Sequence, residues 1–448
     1  MALLVAILLV GIYNANPSYL QGNDGRGSIL GAVSLAMRGD VELHEFEALY
    51  SYARGDLAYY VLATERGEHI PRFNFGVPLV SAPFFWLALR LQGGSISEIS
   101  ANFLGKWISS LAVALAAVLV LLTALRLGAA RWQALAAALL YGLGTCAFST
   151  VSQMLWQHGP AEFFCMLGIY LLLRDGKLAT PLSGAAFAMM VVCRPVLVMF
   201  AIAALIHVAR QQRCHLPGFV LSALPLAVLQ AGYNWYYLGA PWIFSQSLTI
   251  PGADSLQRDY WDTPPWQGFL GLLVSPSRGL FIYSPFFLFL FWRPVQNWRE
   301  TPTIVRAMLL ASVLLVLLHS SYYGWYGGWT FGYRMVVDAT PILCLALLPV
   351  LARLRHSGTA ALTFVITGAL ALMIHTVGAY CYNVVDWDGR PDIDFHLQRL
   401  WSVQDSQLVY WFQHLELRQV VLHPEQPAGA PQTLSGLFNE RAELPSGL

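Results

Sequence analysis

One aspartate framed by glycines is the first candidate for chemistry. Asp24 stands in Gln21-Gly22-Asn23-Asp24-Gly25-Arg26-Gly27, directly after a short apolar segment. The glycines leave the carboxylate close to backbone and open to a ligand. A carboxylate so placed can act as general base on a sugar hydroxyl. The same group could instead cap a helix starting near Ser28 and pair with Arg26. Arg278, in Ser275-Pro276-Ser277-Arg278-Gly279-Leu280, lies in or beside an apolar stretch. A charge at that depth needs a partner or a polar cavity. Its fork matches phosphate, and a snorkelling interfacial arginine is the alternative. Arg334 ends the densest aromatic cluster, Tyr322-Tyr323-Gly324-Trp325-Tyr326-Gly327-Gly328-Trp329-Thr330-Phe331-Gly332-Tyr333-Arg334. Trp and Tyr faces such as Trp329 and Tyr333 suit stacking on sugar rings, although aromatic belts are also normal at membrane interfaces. His158 and Glu162 are four apart and share a helix face. A divalent metal is conceivable there; a satisfied interfacial histidine is the plainer reading.

The elements that must hold these residues are membrane spans. The chain has 448 residues, of which 56% are hydrophobic and 11% charged. A soluble domain is about 25% charged, so several soluble domains and a disordered chain are both excluded. The net charge of +1 gives no sign of a nucleic-acid partner. The six cysteines form no CxxC pair and read as small buried hydrophobes. A span needs about 20 apolar residues. The apolar blocks are 2–12, 104–125, 133–151, 162–173, 182–192, 196–208, 219–238, 268–292, 304–319, 335–351 and 360–382. The expected fold is therefore an all-α polytopic membrane protein of about eleven transmembrane helices.

Basic residues set the expected orientation. With the N-terminus inside, the inner loops carry Arg126/Arg131, Arg174/Lys177, Arg210/Arg213, Arg293/Arg299 and Arg353/Arg355. The short outer connections near 152–158 and 320–333 carry none, and the turn at 193–195 carries only Arg194. That alternation requires Cys193-Arg194-Pro195 to be an outer turn between two spans. Three longer segments then lie outside: 21–103, 239–267 and 383–448. The first is a large extracytoplasmic loop rich in acids, with interface helices expected at Phe75–Leu91 and Ser28–Met37. Asp56 belongs to it; Asp254, Asp259 and Asp262 in the second read as solvated loop charges. The transmembrane domain is 1–382, followed by a small segment, 383–448, flexible from about residue 424. Ala2–Ile12 lacks the basic flank of a signal peptide and reads as a short first span whose start could lie upstream, with cleavage after Asn14 to Ser18 as the other reading.

The ionisable points gather at one membrane face. A carrier would instead be expected to hold them near the midplane on broken helices. At this point the chain resembles the C-type (GT-C) polytopic membrane glycosyltransferase superfamily, whose members use polyprenyl-phosphate-linked sugars. The matches are Asp24 after the first span with the Ser28–Asp40 stretch, Phe73-Asn74-Phe75-Gly76-Val77-Pro78-Leu79 leading to Ala82-Pro83, the Cys193-Arg194-Pro195 turn, and Gly332-Tyr333-Arg334 through Pro341. They cover roughly 1–385, and their order carries the resemblance. The Trp-Gln-His-Gly and Ser-Pro-Ser-Arg-Gly-Leu-Phe runs resemble bacterial members of unassigned role. The resemblance implies that Asp24 deprotonates the acceptor hydroxyl and that Arg278 and Arg334 hold the donor phosphate. Tyr333, Arg26, His158, Glu162 and Trp329 complete the implied substrate-binding set. Transfer would invert the anomeric centre at the outer face of a bacterial inner membrane, onto a lipid, glycan or protein acceptor. Many relatives carry a second acid in the outer turn before the fourth span. This chain has His158 and Glu162 there and no Asp, which leaves a divalent metal open. A flippase or transporter of lipid-linked sugars and a glycan ligase or polymerase are the alternatives. The Asp386/Asp388 pair resembles a nucleotide-sugar motif but faces outside, where nucleotide sugars are absent.

Overall fold

A computed structural model of the chain describes residues 1–20, 22–51, 57–248 and 260–418. The tail expected to be flexible, with Asp56, Asp254 and Asp259, lies outside the described residues. The described chain is mostly helical, and its one sheet is a short hairpin pairing Val61–Ala63 with His69–Pro71.

Among the described residues, four helices are long and apolar enough to cross a membrane: Glu98–Arg126, Arg213–Leu238, Thr303–Ser320 and Gly358–Tyr380. Two bent pairs raise the number to six if each pair is one span, Arg131–Leu143 with Cys146–Gln153 (42°) and Arg334–Ala346 with Leu348–Leu354 (44°). The expected count of eleven is thus met only in part. The apolar helices Ala2–Tyr13, Ala179–Cys193 and Pro195–Gln211 are shorter. The block 268–292 is divided into Pro265–Val274, Leu280–Tyr283 and a 3-10 segment, Pro285–Phe291. Proline lacks the amide hydrogen that a continuing helix needs, and Pro276 and Pro285 stand at the two breaks. Arg194 is extended (φ −147°, ψ 92°), so the chain turns there between two helices, as the charge alternation requires.

Of the expected inner loops, Arg126 pairs with Asp175 (3.5 Å), Arg353 pairs with Glu300, and Gln212 bonds to Thr180 and to the Leu172 carbonyl. Of the expected outer turns, those carrying Asp24, His158, Arg194 and Arg334 meet one another.

Glu98–Arg126 is the central post. Ser97 caps it by accepting from the Ser100 amide. Its 29 residues reach roughly 43 Å, more than a hydrocarbon core of about 30 Å. It packs against Ala2–Tyr13, Arg131–Leu143 and His158–Leu172. Lys106 is buried in it, and its ammonium donates to the carbonyls of Asn16 (2.9 Å) and Ser18 (2.5 Å). Those bonds give a buried amine its partners and tether the strap that leads to Asp24.

Helices form where the first outer loop was expected to hold them, at Asn23–Arg38 and Gly76–Leu91, and they pack on each other. Phe84, Trp86, Leu87 and Leu91 stay exposed along the second. The described part of the segment after residue 382, residues 383–418, is fastened to the body. Gln407 accepts from the Gly332 amide (3.0 Å) and donates to the Thr330 carbonyl (2.9 Å). Arg418 donates to Ser18, Gln153 and the Tyr382 carbonyl.

Candidate active site

Asp24 lies in the first turn of Asn23–Arg38, because the helix starts at Asn23 rather than near Ser28. The positive end of the helix dipole favours a carboxylate there. A side chain at Gly25 would come within 2.6 Å of Met154, so glycine lets the turn at 154–156 sit directly on this helix start. That contact delivers Trp156. Arg334 arrives from the glycine-rich aromatic loop, where Gly327 (φ +82°) and Gly328 (φ +67°) adopt consecutive left-handed conformations open to glycine. It opens a 3-10 segment, Arg334–Ala339.

Here the structure joins residues 310 positions apart: Arg334 Nη2 donates to Asp24 Oδ2. The guanidinium lies 4.0 Å over the Trp156 ring. Its Nε faces His158 Nε2 at 3.3 Å, and its Nη1 is 3.4 Å from the Gly327 carbonyl. An arginine can only donate, so His158 accepts at Nε2 and carries its proton on Nδ1. That proton points to Asp338 Oδ1 at 3.0 Å. The other oxygen of Asp338 accepts from Arg194 Nε at 2.9 Å. A polar chain therefore runs from Asp24 through Arg334, neutral His158 and Asp338 to Arg194. Asp24 and Arg334 are each 14% exposed, whereas His158 and Asp338 are 1% exposed. The outer pair is the part a ligand can reach.

Glu162 follows one turn after His158 and accepts from the Tyr141 hydroxyl at 2.5 Å. His158, Glu162 and Asp338 offer ligand atoms within 4.8 Å of one another. Their chemistry does not fit a metal in this arrangement. Both nitrogens of His158 and both oxygens of Asp338 already have partners, and two arginines border the cluster. Glu162 Oε1 is the free atom of the set, buried and without a partner. Arg194 Nη2 and His319 Nδ1 are likewise buried and unpaired.

Tyr59 is 37% exposed. The Arg72 guanidinium lies 4.6 Å over its ring. Loss of water around its hydroxyl, and then the Asp24 carboxylate, push its pKa up. Tyr260 and Tyr322 stack at 6.1 Å, and Tyr323 meets both edge-on.

The remaining sequence candidates sit elsewhere. Arg26 pairs with Glu98. Tyr333 is buried, with its hydroxyl 2.6 Å from Ser284 Oγ. Trp329 donates to Asp392 at 3.2 Å. Arg278 is 1% exposed and fully engaged by protein. It donates to Asp388 (2.5 Å) and to the carbonyls of Tyr326, Ser277 and Gly328. Gly327, between two of those carbonyls, is the residue that accepts from Arg334. Arg278 thus braces the loop from behind while Arg334 works at its front. Arg278→Ala is expected to cost about 3–5 kcal/mol, because it leaves Asp388 buried without its cation. The readout is thermal melting in detergent; adding Asp388→Asn should recover part of the loss, and a double variant no better than the single contradicts the assignment.

Asp338 was not among the sequence candidates. Its signal was an acid inside an apolar block, Val336-Val337-Asp338-Ala339, which is costly without a partner. Arg194 was legible only as a turn residue, and His319 only as the end of a span. No protein-family model matches the chain, and no curated protein matches it.

Proposed function

We propose that the protein is an integral membrane glycosyltransferase. It moves a sugar from a polyprenyl-phosphate donor to an acceptor hydroxyl of a lipid, glycan or protein, with inversion, at the extracytoplasmic face of a bacterial inner membrane. The observation that carries this reading is the partly open contact of Asp24 with Arg334. One carboxylate and one guanidinium, set on rigid elements and bordered by aromatic rings, supply a base for a hydroxyl and a cation for a phosphate.

In this reading Asp24 takes the proton of the acceptor hydroxyl. The acceptor oxygen forms its bond to the anomeric carbon as the bond from that carbon to the phosphate oxygen breaks. The electron pair leaves with polyprenyl phosphate, whose added charge Arg334 meets. Trp156 lies against the Arg334 guanidinium, and Tyr59 stands near enough for its hydroxyl to feel the Asp24 charge. The reading also draws on the resemblance to the C-type superfamily.

The test is reconstitution of the purified chain in proteoliposomes with polyprenyl-phosphate-linked sugars. Release of polyprenyl phosphate together with a glycosylated acceptor is the expected result. Movement of the lipid-linked sugar between leaflets with no transfer would favour a flippase instead. Addition of whole glycans, read from product size, would favour a ligase or polymerase.

A further inference from the structure

We propose that donor phosphate and Asp24 compete for the same end of Arg334, so that donor binding releases Asp24 from its cation. The inference rests on the reading of Arg334 as the phosphate ligand. In the structure the Nη2 end of Arg334 donates to Asp24 Oδ2. A carboxylate offers about four acceptor sites, and this contact ties one of them to the guanidinium. Asp24 keeps that cation until another anion takes Arg334.

The geometry allows that exchange without moving the arginine far. Its plane rests on Trp156 at 4.0 Å, and its Nε is held 3.3 Å from His158 Nε2. His158 is itself fixed by Asp338, and Asp338 by Arg194. Of these anchors His158 and Asp338 are 1% exposed. The Nη2 end meets Asp24, and that pair is 14% exposed on both sides. Asp24 Oδ2 stands where a phosphate oxygen would accept the same hydrogen bond. Both are anionic oxygen acceptors, and Arg334 discriminates poorly between them except by fit. A phosphate that replaces the carboxylate leaves Asp24 without its cation and next to the sugar to be transferred.

Two consequences distinguish this from a passive ion pair. A donor whose leaving group is uncharged cannot take Arg334, so the site selects an anionic leaving group. And a substitution that removes the Asp24 charge should strengthen phosphate binding even as it removes the base.

The last consequence is tested by titrating farnesyl phosphate, farnesol and inorganic phosphate into the purified full chain in detergent, by calorimetry. Asp24→Asn is expected to bind farnesyl phosphate about tenfold more tightly than the parent, the size of one charge-assisted hydrogen bond regained. Arg334→Gln should lose the phosphate-dependent part, leaving affinity equal to that for farnesol. Tighter binding of farnesyl phosphate than of inorganic phosphate identifies a lipid-linked ligand; equal binding identifies free phosphate as the occupant and overturns the donor assignment. If Asp24→Asn binds no more tightly while Arg334→Gln loses binding, the competition is refuted and the phosphate site survives. If Arg334→Gln binds like the parent, the phosphate site itself falls. Asp24→Ser is the second variant and must show the same gain, which separates loss of charge from any fault in folding of the amide variant.

Discussion

Asp24→Asn is expected to lower sugar transfer by about 10²- to 10⁴-fold, the usual contribution of a positioned base, with little loss of fold. The amide has the shape of the carboxylate and its oxygen can still accept from Arg334. It has no proton affinity to offer a hydroxyl. The pair it disrupts is 14% exposed on both sides, so the structural cost should be about 1 kcal/mol, close to that of other solvent-touched ion pairs. The measurement is the rate of polyprenyl phosphate release by parent and variant at matched folded fraction. Asp24→Glu sharpens the result. The helix start is fixed by its packing under Met154 and Trp156, so the extra methylene must displace the carboxylate. A displacement of about 1 Å can cost about 10²-fold. A glutamate variant with the parent rate would argue that the carboxylate merely neutralises Arg334. An asparagine variant with the parent rate would move the base elsewhere.

How far the sequence led can be judged from individual residues. Apolar blocks were enough to expect a helical chain with helices able to cross a membrane. Residues of four separate turns, all expected outside, do meet in space. Span number was less legible, because proline and short polar breaks divide apolar blocks such as 268–292 into pieces that composition reads as continuous. Asp24 and Arg334 were both legible, since each is a charge beside glycines at the edge of an apolar block. Their contact across 310 positions was not. Arg278 shows why. Its sequence context resembles that of Arg334, yet one guanidinium closes on loop carbonyls and Asp388, and the other stays open beside Asp24. The difference lies in which carbonyls and acids tertiary packing brings near, and spacing along the chain carries no record of it. Asp338 illustrates the converse. Its cost in an apolar span was readable, but its partners His158 and Arg194 lie 180 and 144 positions away.

Those partners make Asp338 a residue whose loss should cost the fold heavily. Asp338→Asn is expected to destabilise the protein by about 3–5 kcal/mol, the range for breaking a buried charge pair. The substitution keeps the shape and fails on hydrogen-bond count. Asp338 meets two donors, His158 Nδ1–H on one oxygen and Arg194 Nε–H on the other. An amide has one accepting oxygen and one donating nitrogen, so one of the two donors must face an NH2 group. Arg194, already carrying an unpaired Nη2, would also lose its counter-ion. Glu162→Gln is the matched control. Glu162 is just as buried, but it receives one hydrogen bond, from Tyr141, and its other oxygen is unpaired. Its amide can keep the Tyr141 contact, so the cost should stay under about 1.5 kcal/mol. Thermal melting in detergent separates the two. Equal drops would mean that Asp338 is not the hub of the chain, and that His158 and Arg194 are held by packing alone. A large drop confined to Asp338 would mean that the orientation of His158, and through it the inner anchor of Arg334, depends on one carboxylate. The reactive pair at the surface would then owe its geometry to a buried charge that no substrate touches.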